Sequence, residues 1–339
     1  MRMHHLLTTI LITLFCGQVY AAELPEEAQK MLADLGAPEV QQQNNGKLFR
    51  CVFGGTKRVT VSLLGNATIF TADYNNCREP GSTRDGHDEI MVQNGEIIGS
   101  SSKRSINGEL FDAAQNNDSA KVRELIGRKA DVNYSEEISW ENQRTIDGWT
   151  PMMWAALNGN TEMMTLLLKA GAWVNHLNGD VVNALWIASS SGRVETVKQL
   201  LKNRAYINNR NFEDVTPLMA AAMRGHYDVV NCLLGAKASI NLVHKEGDSA
   251  LMFALARSHT KVAQRLIDAG ANINIRNKHG VTALMIAIAE GNEEIALKLL
   301  DNKADLAVKT DSGMTALDIA LAKGNTKIAE RIKQVQTSL

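Results

Sequence analysis

Proline is scarce in this 339-residue chain, with only 5, and aromatic side chains make up 5% of it. That composition disfavours a proline-rich linker protein and a large β-sandwich, whose strands draw heavily on aromatic residues. An excess of either charge is also missing, with 36 Lys and Arg against 37 Asp and Glu. Whole-chain charge therefore offers no field to hold a nucleic-acid backbone or an anionic membrane surface. The usual catalytic signatures are absent: there is no G-x-S-x-G, H-E-x-x-H, G-x-x-x-x-G-K or G-x-G-x-x-G. The 4 cysteines include no Cys-x-x-Cys pair, which removes the common zinc and redox motifs. The polar run Asp85-Gly86-His87-Asp88-Glu89 reads as a solvated turn, because adjacent loop residues do not easily converge on one ion. No metal, cofactor or catalytic residue is expected. What remains is 45% hydrophobic and 22% charged, the balance of a globular, helix-rich chain.

Residues 1–22 read as a secretory leader. Arg2 supplies a basic start, Leu6 to Phe15 an apolar run, and Val19-Tyr20-Ala21 or Tyr20-Ala21-Ala22 a small-residue cleavage site. The run is shorter than the roughly 18–20 residues a bilayer span needs, and Phe15 before Cys16 argues against a lipid anchor. The expected location is periplasmic or secreted, with no membrane insertion after cleavage. In an oxidising compartment Cys51 and Cys77 could pair, which would be worth about 3–3.5 kcal/mol on a chain-entropy argument. Cys232 reads as a buried small hydrophobe.

The dominant feature is a period. Segments beginning at Thr150, Asn183, Thr216, Ser249, Thr282 and Thr315 are spaced by 33 residues without insertion or deletion. In each, a Thr, Ser or Asn is placed to cap a first helix, with Pro151 and Pro217 at the first helical position, where a missing N–H costs nothing. Small residues such as Ala155-Ala156 and Ala221-Ala222 allow close stacking. Gly159, Gly192, Gly225, Gly291 and Gly324 supply a left-handed turn, with Ser258 the exception. A second apolar-periodic helix and a polar segment ending in Val-Asn or Ile-Asn complete the unit.

These residues resemble the ankyrin repeat, best at Asp147-Gly148-Trp149-Thr150-Pro151 and at Ala269-Gly270-Ala271-Asn272-Ile273-Asn274. The resemblance covers about 106–339 and implies a mostly α-helical solenoid of about seven repeats. The first repeat is diverged and carries nine extra residues in its loop. The family's His after Thr-Pro-Leu is replaced by Met153, Trp186, Met219, Met252, Met285 and Asp318, so its bond to the cap is expected to be absent throughout. The turn glycine is missing at Val181 and Asp214, so those hairpin tips are expected to differ in shape. Residues 23–105 read as a small α+β domain: a helix over Glu26–Leu35, strands at Leu48–Phe53 and Arg58–Leu63, a hairpin around Asn94-Gly95, and a Ser-rich linker at 100–105.

The resemblance implies a concave groove, lined by hairpin tips and first helices, that binds a protein partner and no nucleic acid. On the family's frame the candidate contact residues are Trp140, Trp149, Trp173, Val182, Phe212, Val215, Met223 and Arg224. Trp154 and Trp186 instead fall at positions that pack between units. The preferred reading is an exported, non-catalytic binding protein. An immunity or inhibitor protein for a periplasmic toxin, suggested by bacterial proteins of this layout, is one form of it, and an accessory factor for a periplasmic stress enzyme is another. Two alternatives stand beside it: an N-terminal domain with ligand-binding or enzymatic activity delivered by the repeats, and a purely structural spacer.

Overall fold

A computed structural model describes residues 47–50, 56–64, 67–79, 82–93, 96–139 and 145–337. The leader, the expected helix at 26–35, Cys51, the turn at Asn94-Gly95 and Trp140 lie outside the described residues. The chain divides into two compact units, one formed by residues up to 113 with 120–145, the other by 114–119 with 146–339.

In the first unit, β1 (Lys47–Arg50), β2 (Thr56–Leu64), β3 (Ala67–Glu79), β4 (Ser82–Gln93) and β5 (Glu96–Arg104) form an antiparallel meander in sequence order. Arg58–Leu63 lies in β2, and Gln93 stands opposite Glu96 across residues 94–95, as a two-residue hairpin requires. Two readings change. The run 85–89 is part of β4, not a turn, and Ser100–Arg104 continue β5 along β4 rather than forming a linker. Ladder hydrogen bonds with a neighbouring strand offer these polar residues an extended conformation that local composition does not reveal. Helices α1 (Ile106–Gln115) and α2 (Ser119–Gly127) follow, burying Leu110, Phe111, Val122 and Leu125. Strands β6 (Glu136–Ser139) and β7 (Thr145–Trp149) come next.

The second unit is built from helix pairs: α3 (Pro151–Asn158) with α4 (Thr161–Lys169), α5 (Ala184–Ser190) with α6 (Val194–Lys202), α7 (Pro217–Met223) with α8 (Tyr227–Gly235), α9 (Ala250–Ala256) with α10 (Thr260–Asp268), α11 (Ala283–Ala289) with α12 (Glu293–Asp301), and α13 (Ala316–Ala322) with α14 (Thr326–Thr337). First helices pack on first helices and second on second, giving two layers around one continuous apolar seam. The caps follow the sequence reading. Thr150, Thr216, Ser249 and Thr282 accept from the backbone N–H three residues on at 3.3–3.5 Å, and Asn183 does so at 2.9 Å. At Thr315 the expected loss of a side-chain partner is overturned. Asp318 accepts from the Thr315 N–H at 2.8 Å and from its hydroxyl at 2.6 Å, a reciprocal capping box.

The hairpin tips also depart from expectation. Val181 and Asp214 have φ of 59° and 60°, the same left-handed conformation as Gly148, Gly247, Gly280 and Gly313. Each of the five tips from Asn178 to Thr310 is closed by the same pair of backbone bonds, such as Asn178 N–H to Val182 O and Val181 N–H to Asn178 O. The fold imposes one turn on five sequences, so glycine is favoured there but not required. A β-branched valine in this conformation is strained by about 1–2 kcal/mol.

One repeat buries unpaired polar groups at positions that are apolar in the others. Thr196, 1% exposed, occupies the place filled by Met163, Val229, Val262, Ile295 and Ile328 in the other units, and its hydroxyl has no hydrogen-bond partner. Fully buried Ser189, where the neighbours have Ala156 and Ala222, and the Asn183 amide nitrogen are unpaired as well. Valine matches threonine in shape without the polar atom, so Thr196→Val should raise stability by about 1–2 kcal/mol. Urea unfolding followed by circular dichroism measures it, and a lowered midpoint would contradict this assignment.

Candidate interaction surface

Two kinds of strut link neighbouring units, the first at three joints and the second at four. The first lies where the first helix ends. His226 and His259 place Nε2 at 3.0 and 3.1 Å from the carbonyl oxygens of Ser190 and Met223, and Arg193 Nε donates to the Leu157 carbonyl at 3.0 Å. Each reaches back to the orphan carbonyls at a helix C-terminus, which would otherwise need water or a cap. Gly225 is required for this geometry, since its φ is 74° and a Cβ there would lie 2.6 Å from the His259 ring. His226 and His259 are thus structural links.

The second strut runs along the loops that lead to the hairpins. Asn175, Asn208, Asn241 and Asn274 accept the backbone N–H of Tyr206, Ser239, Asn272 and Asp305, each in the following unit. Neighbouring tips are joined by Lys245, Lys278 and Asp311 N–H donating to the carbonyls of Glu213, Glu246 and His279 at 2.9–3.1 Å. Their side chains pair too: Lys245 with Glu213, Lys278 with Glu246 at 3.6 Å, and His279 with Asp311 at 3.4 Å.

The family assignment rests on this periodic geometry together with the sequence. A family model describing three copies of the ankyrin repeat matches residues 110–211, 218–310 and 276–336. The chain belongs to the ankyrin-repeat family. A search of curated proteins found no match. Ankyrin repeats are generally non-catalytic scaffolds for protein–protein interaction, and the side chains that this scaffold leaves unused are the candidate surface.

The candidates divide sharply. Trp149 is 4% exposed, its ring 4.8 Å from that of Trp154, while Val182 and Val215 are buried at the entry to their first helices. These three are core residues and present no surface to a partner. The hairpin base turns them inward, whereas sequence alignment alone places them on the binding side. Trp173 and Phe212 are exposed, at 63% and 53%. Met223 is half-buried and Arg224 exposed, both at the end of α7. Trp186 packs between units as expected, its indole N–H donating to Val215 O at 3.0 Å. Sequence reasoning missed Leu177, Val181 and Tyr206, which are exposed on the same two loops as Trp173 and Phe212. The signal was available, because Tyr206 stands one 33-residue period after Trp173.

Half-buried Cys232 has a thiol whose pKa is pushed up by burial, so it favours the unreactive form. Among the described residues no group of three or more His, Cys, Asp or Glu could hold a metal, and no helix is long and apolar enough to cross a membrane. Toward the C-terminus the surface carries more charge. The Lys298 ammonium holds the Asp268 carboxyl below its ordinary pKa, and the Thr315 hydroxyl does the same for Asp318. Both folded values lie below the unfolded ones. The stability these carboxylates contribute is therefore complete above their ordinary pKa of 3.8 and is lost as pH falls through the lowered values. Asp318→Asn should melt below the wild type by a constant margin above about pH 5, with the margin closing under pH 4. Thermal melts across that range check it, and a margin that widens in acid would refute it.

Proposed function

We propose that this chain is an exported, non-catalytic scaffold that binds a protein partner along its hairpin tips and first-helix ends. We read the fourteen helices as seven ankyrin repeats, of which the first is diverged, preceded by a small α+β domain. The carrying observation is two columns of exposed side chains at equivalent positions of successive repeats, of which the first-helix ends take no part in the struts and the tips from Lys245 onward also pair with their neighbours. Arg224, Arg257, Glu290 and Lys323 stand at equivalent first-helix ends, and Phe212, Lys245, Lys278 and Asp311 at equivalent tips. The unit spacing brings each column into line, and the residues within a column differ in charge and size, as a recognition surface requires. The leader at 1–22 supports export to the periplasm or beyond, where Cys51 and Cys77 would meet an oxidising environment. An immunity or inhibitor protein, or an accessory factor for a stress enzyme, both fit a partner-holding surface of this kind.

The test is a paired substitution that leaves the core untouched. Phe212→Ala with Arg224→Glu should leave the melting temperature within a few degrees of wild type, since both side chains are exposed. It should also abolish recovery of a specific protein when the tagged chain is captured from its native cell envelope. Capture of the same proteins by wild type and variant would count against the reading.

A further inference from the structure

Five of the seven large apolar side chains that are exposed among the described residues lie on two adjacent loops. Trp173, Leu177 and Val181 occupy the loop after α4, and Tyr206 and Phe212 the loop after α6, with Trp173 and Tyr206 63% and 64% exposed. The loops are locked side by side. Asn175 accepts from Tyr206 N–H at 2.7 Å and donates to Arg204 O at 3.2 Å, while Asn209 donates to Val181 O at 2.9 Å.

The polar character around this apolar strip is one-sided. Lys169 and Lys202, in the last turns of α4 and α6, and Arg204 at the start of the second loop are exposed and make no ion pair with a described residue. On the second loop the acidic groups are engaged, Glu213 by Lys245 and Asp214 by Arg210 at 3.4 Å. On the first, Asp180 is half-buried at the hairpin tip. The near-neutral balance of the whole chain thus conceals a local positive excess beside exposed aromatic rings.

The amides of Asn175, Asn208 and Asn203 are spent internally. Asn175 uses both ends of its amide. Asn208 accepts from Ser239 N–H and donates to the Ser239 hydroxyl, and Asn203 donates to Gln199 O. A glycan or a precisely fitted protein surface would call for such groups to be available. This face instead offers rings with a polar edge, aliphatic side chains and flexible cations, the chemistry that settles into the interfacial zone of a bilayer. A second copy of the chain is disfavoured, because it would bring Lys169, Lys202 and Arg204 against themselves.

We propose that the paired loop segments 173–177 and 204–206 dock peripherally on an anionic lipid surface, with Trp173, Leu177 and Tyr206 entering the headgroup region and Lys169, Lys202 and Arg204 held by its negative charge. The docking uses neither the tip column of Phe212, Lys245, Lys278 and Asp311 nor the first-helix ends, so it is separate from the protein-binding surface above.

Flotation of the purified chain with vesicles tests it. Vesicles of phosphatidylcholine with one quarter phosphatidylglycerol should carry the wild type and release it as salt rises, whereas phosphatidylcholine alone should carry little. Lys202→Glu with Arg204→Glu should weaken binding by about fivefold or more for each cation reversed. Trp173→Ala with Tyr206→Ala should weaken it at least tenfold, and circular dichroism melts should show both variants folded. Phe212→Ala with Arg224→Glu should float like the wild type, so the two surfaces stand or fall separately. The proposal is overturned if the wild type ignores anionic vesicles or if both loop pairs float unchanged. It is equally overturned if the loop pairs lose only a captured protein and no lipid binding, which would make this face a protein-docking one.

Discussion

In four successive units Asn175, Asn208, Asn241 and Asn274, which close the Val-Asn or Ile-Asn segment, accept a backbone N–H from the loop of the next unit at 2.7–3.0 Å. This bond recurs at the same place in each of these joints and fixes how the two loops lie against each other. A unit longer or shorter by one residue would pull the donor away from its acceptor while leaving helix packing intact. The apolar seam supplies the driving force for stacking, but the seam is made of Ala, Leu, Met and Ile, which tolerate sliding. Directional bonds at the loop, and the His226, His259 and Arg193 struts at the helix ends, choose one register among those the seam would accept.

The repeat spanning 183–215 combines two departures from this regular pattern. Inside, it carries the unpaired hydroxyls of Ser189 and Thr196 and the unpaired Asn183 amide nitrogen, where other units are apolar or well capped. Val181, at its leading tip, is held in a left-handed conformation that costs a valine free energy. Outside, its two flanking loops carry most of the exposed aromatic and aliphatic surface. In a linear array each unit is supported only by its neighbours, so local opening concentrates where the internal contacts are weakest. Exposed apolar groups thus flank the repeat that buries these unpaired groups.

Much of this architecture was legible in the sequence, because its determinants are local. The cap residues, the prolines at the first helical turn and the Trp154 and Trp186 packing positions could be read from spacing alone. Properties that depend on neighbours in space were not. Val181, Asp214 and Ser258 adopt the conformation of the glycines they replace because bonds across the tip or turn enforce it. Trp149, Val182 and Val215 sit on the expected binding side in an alignment yet are turned into the core. Trp149 finds Trp154 there, a tertiary contact that no periodicity encodes. Asp318 replaces a histidine in the family pattern and makes its own bond to the cap, a substitution that preserves the interaction by different chemistry. Tyr206 was the most recoverable omission, since its equivalence to Trp173 needed only the period already established.

The most direct measurement of the central claim is amide hydrogen exchange at Tyr206, Ser239, Asn272 and Asp305. These N–H groups belong to exposed loop residues and would exchange quickly if the loops were held only by their own unit. Donation to the preceding unit's asparagine predicts protection comparable to that of the adjacent second helices, about a hundredfold or more over an open chain. Exchange at open-chain rates, with the helices still protected, would show that the asparagines do not set the register of the stack.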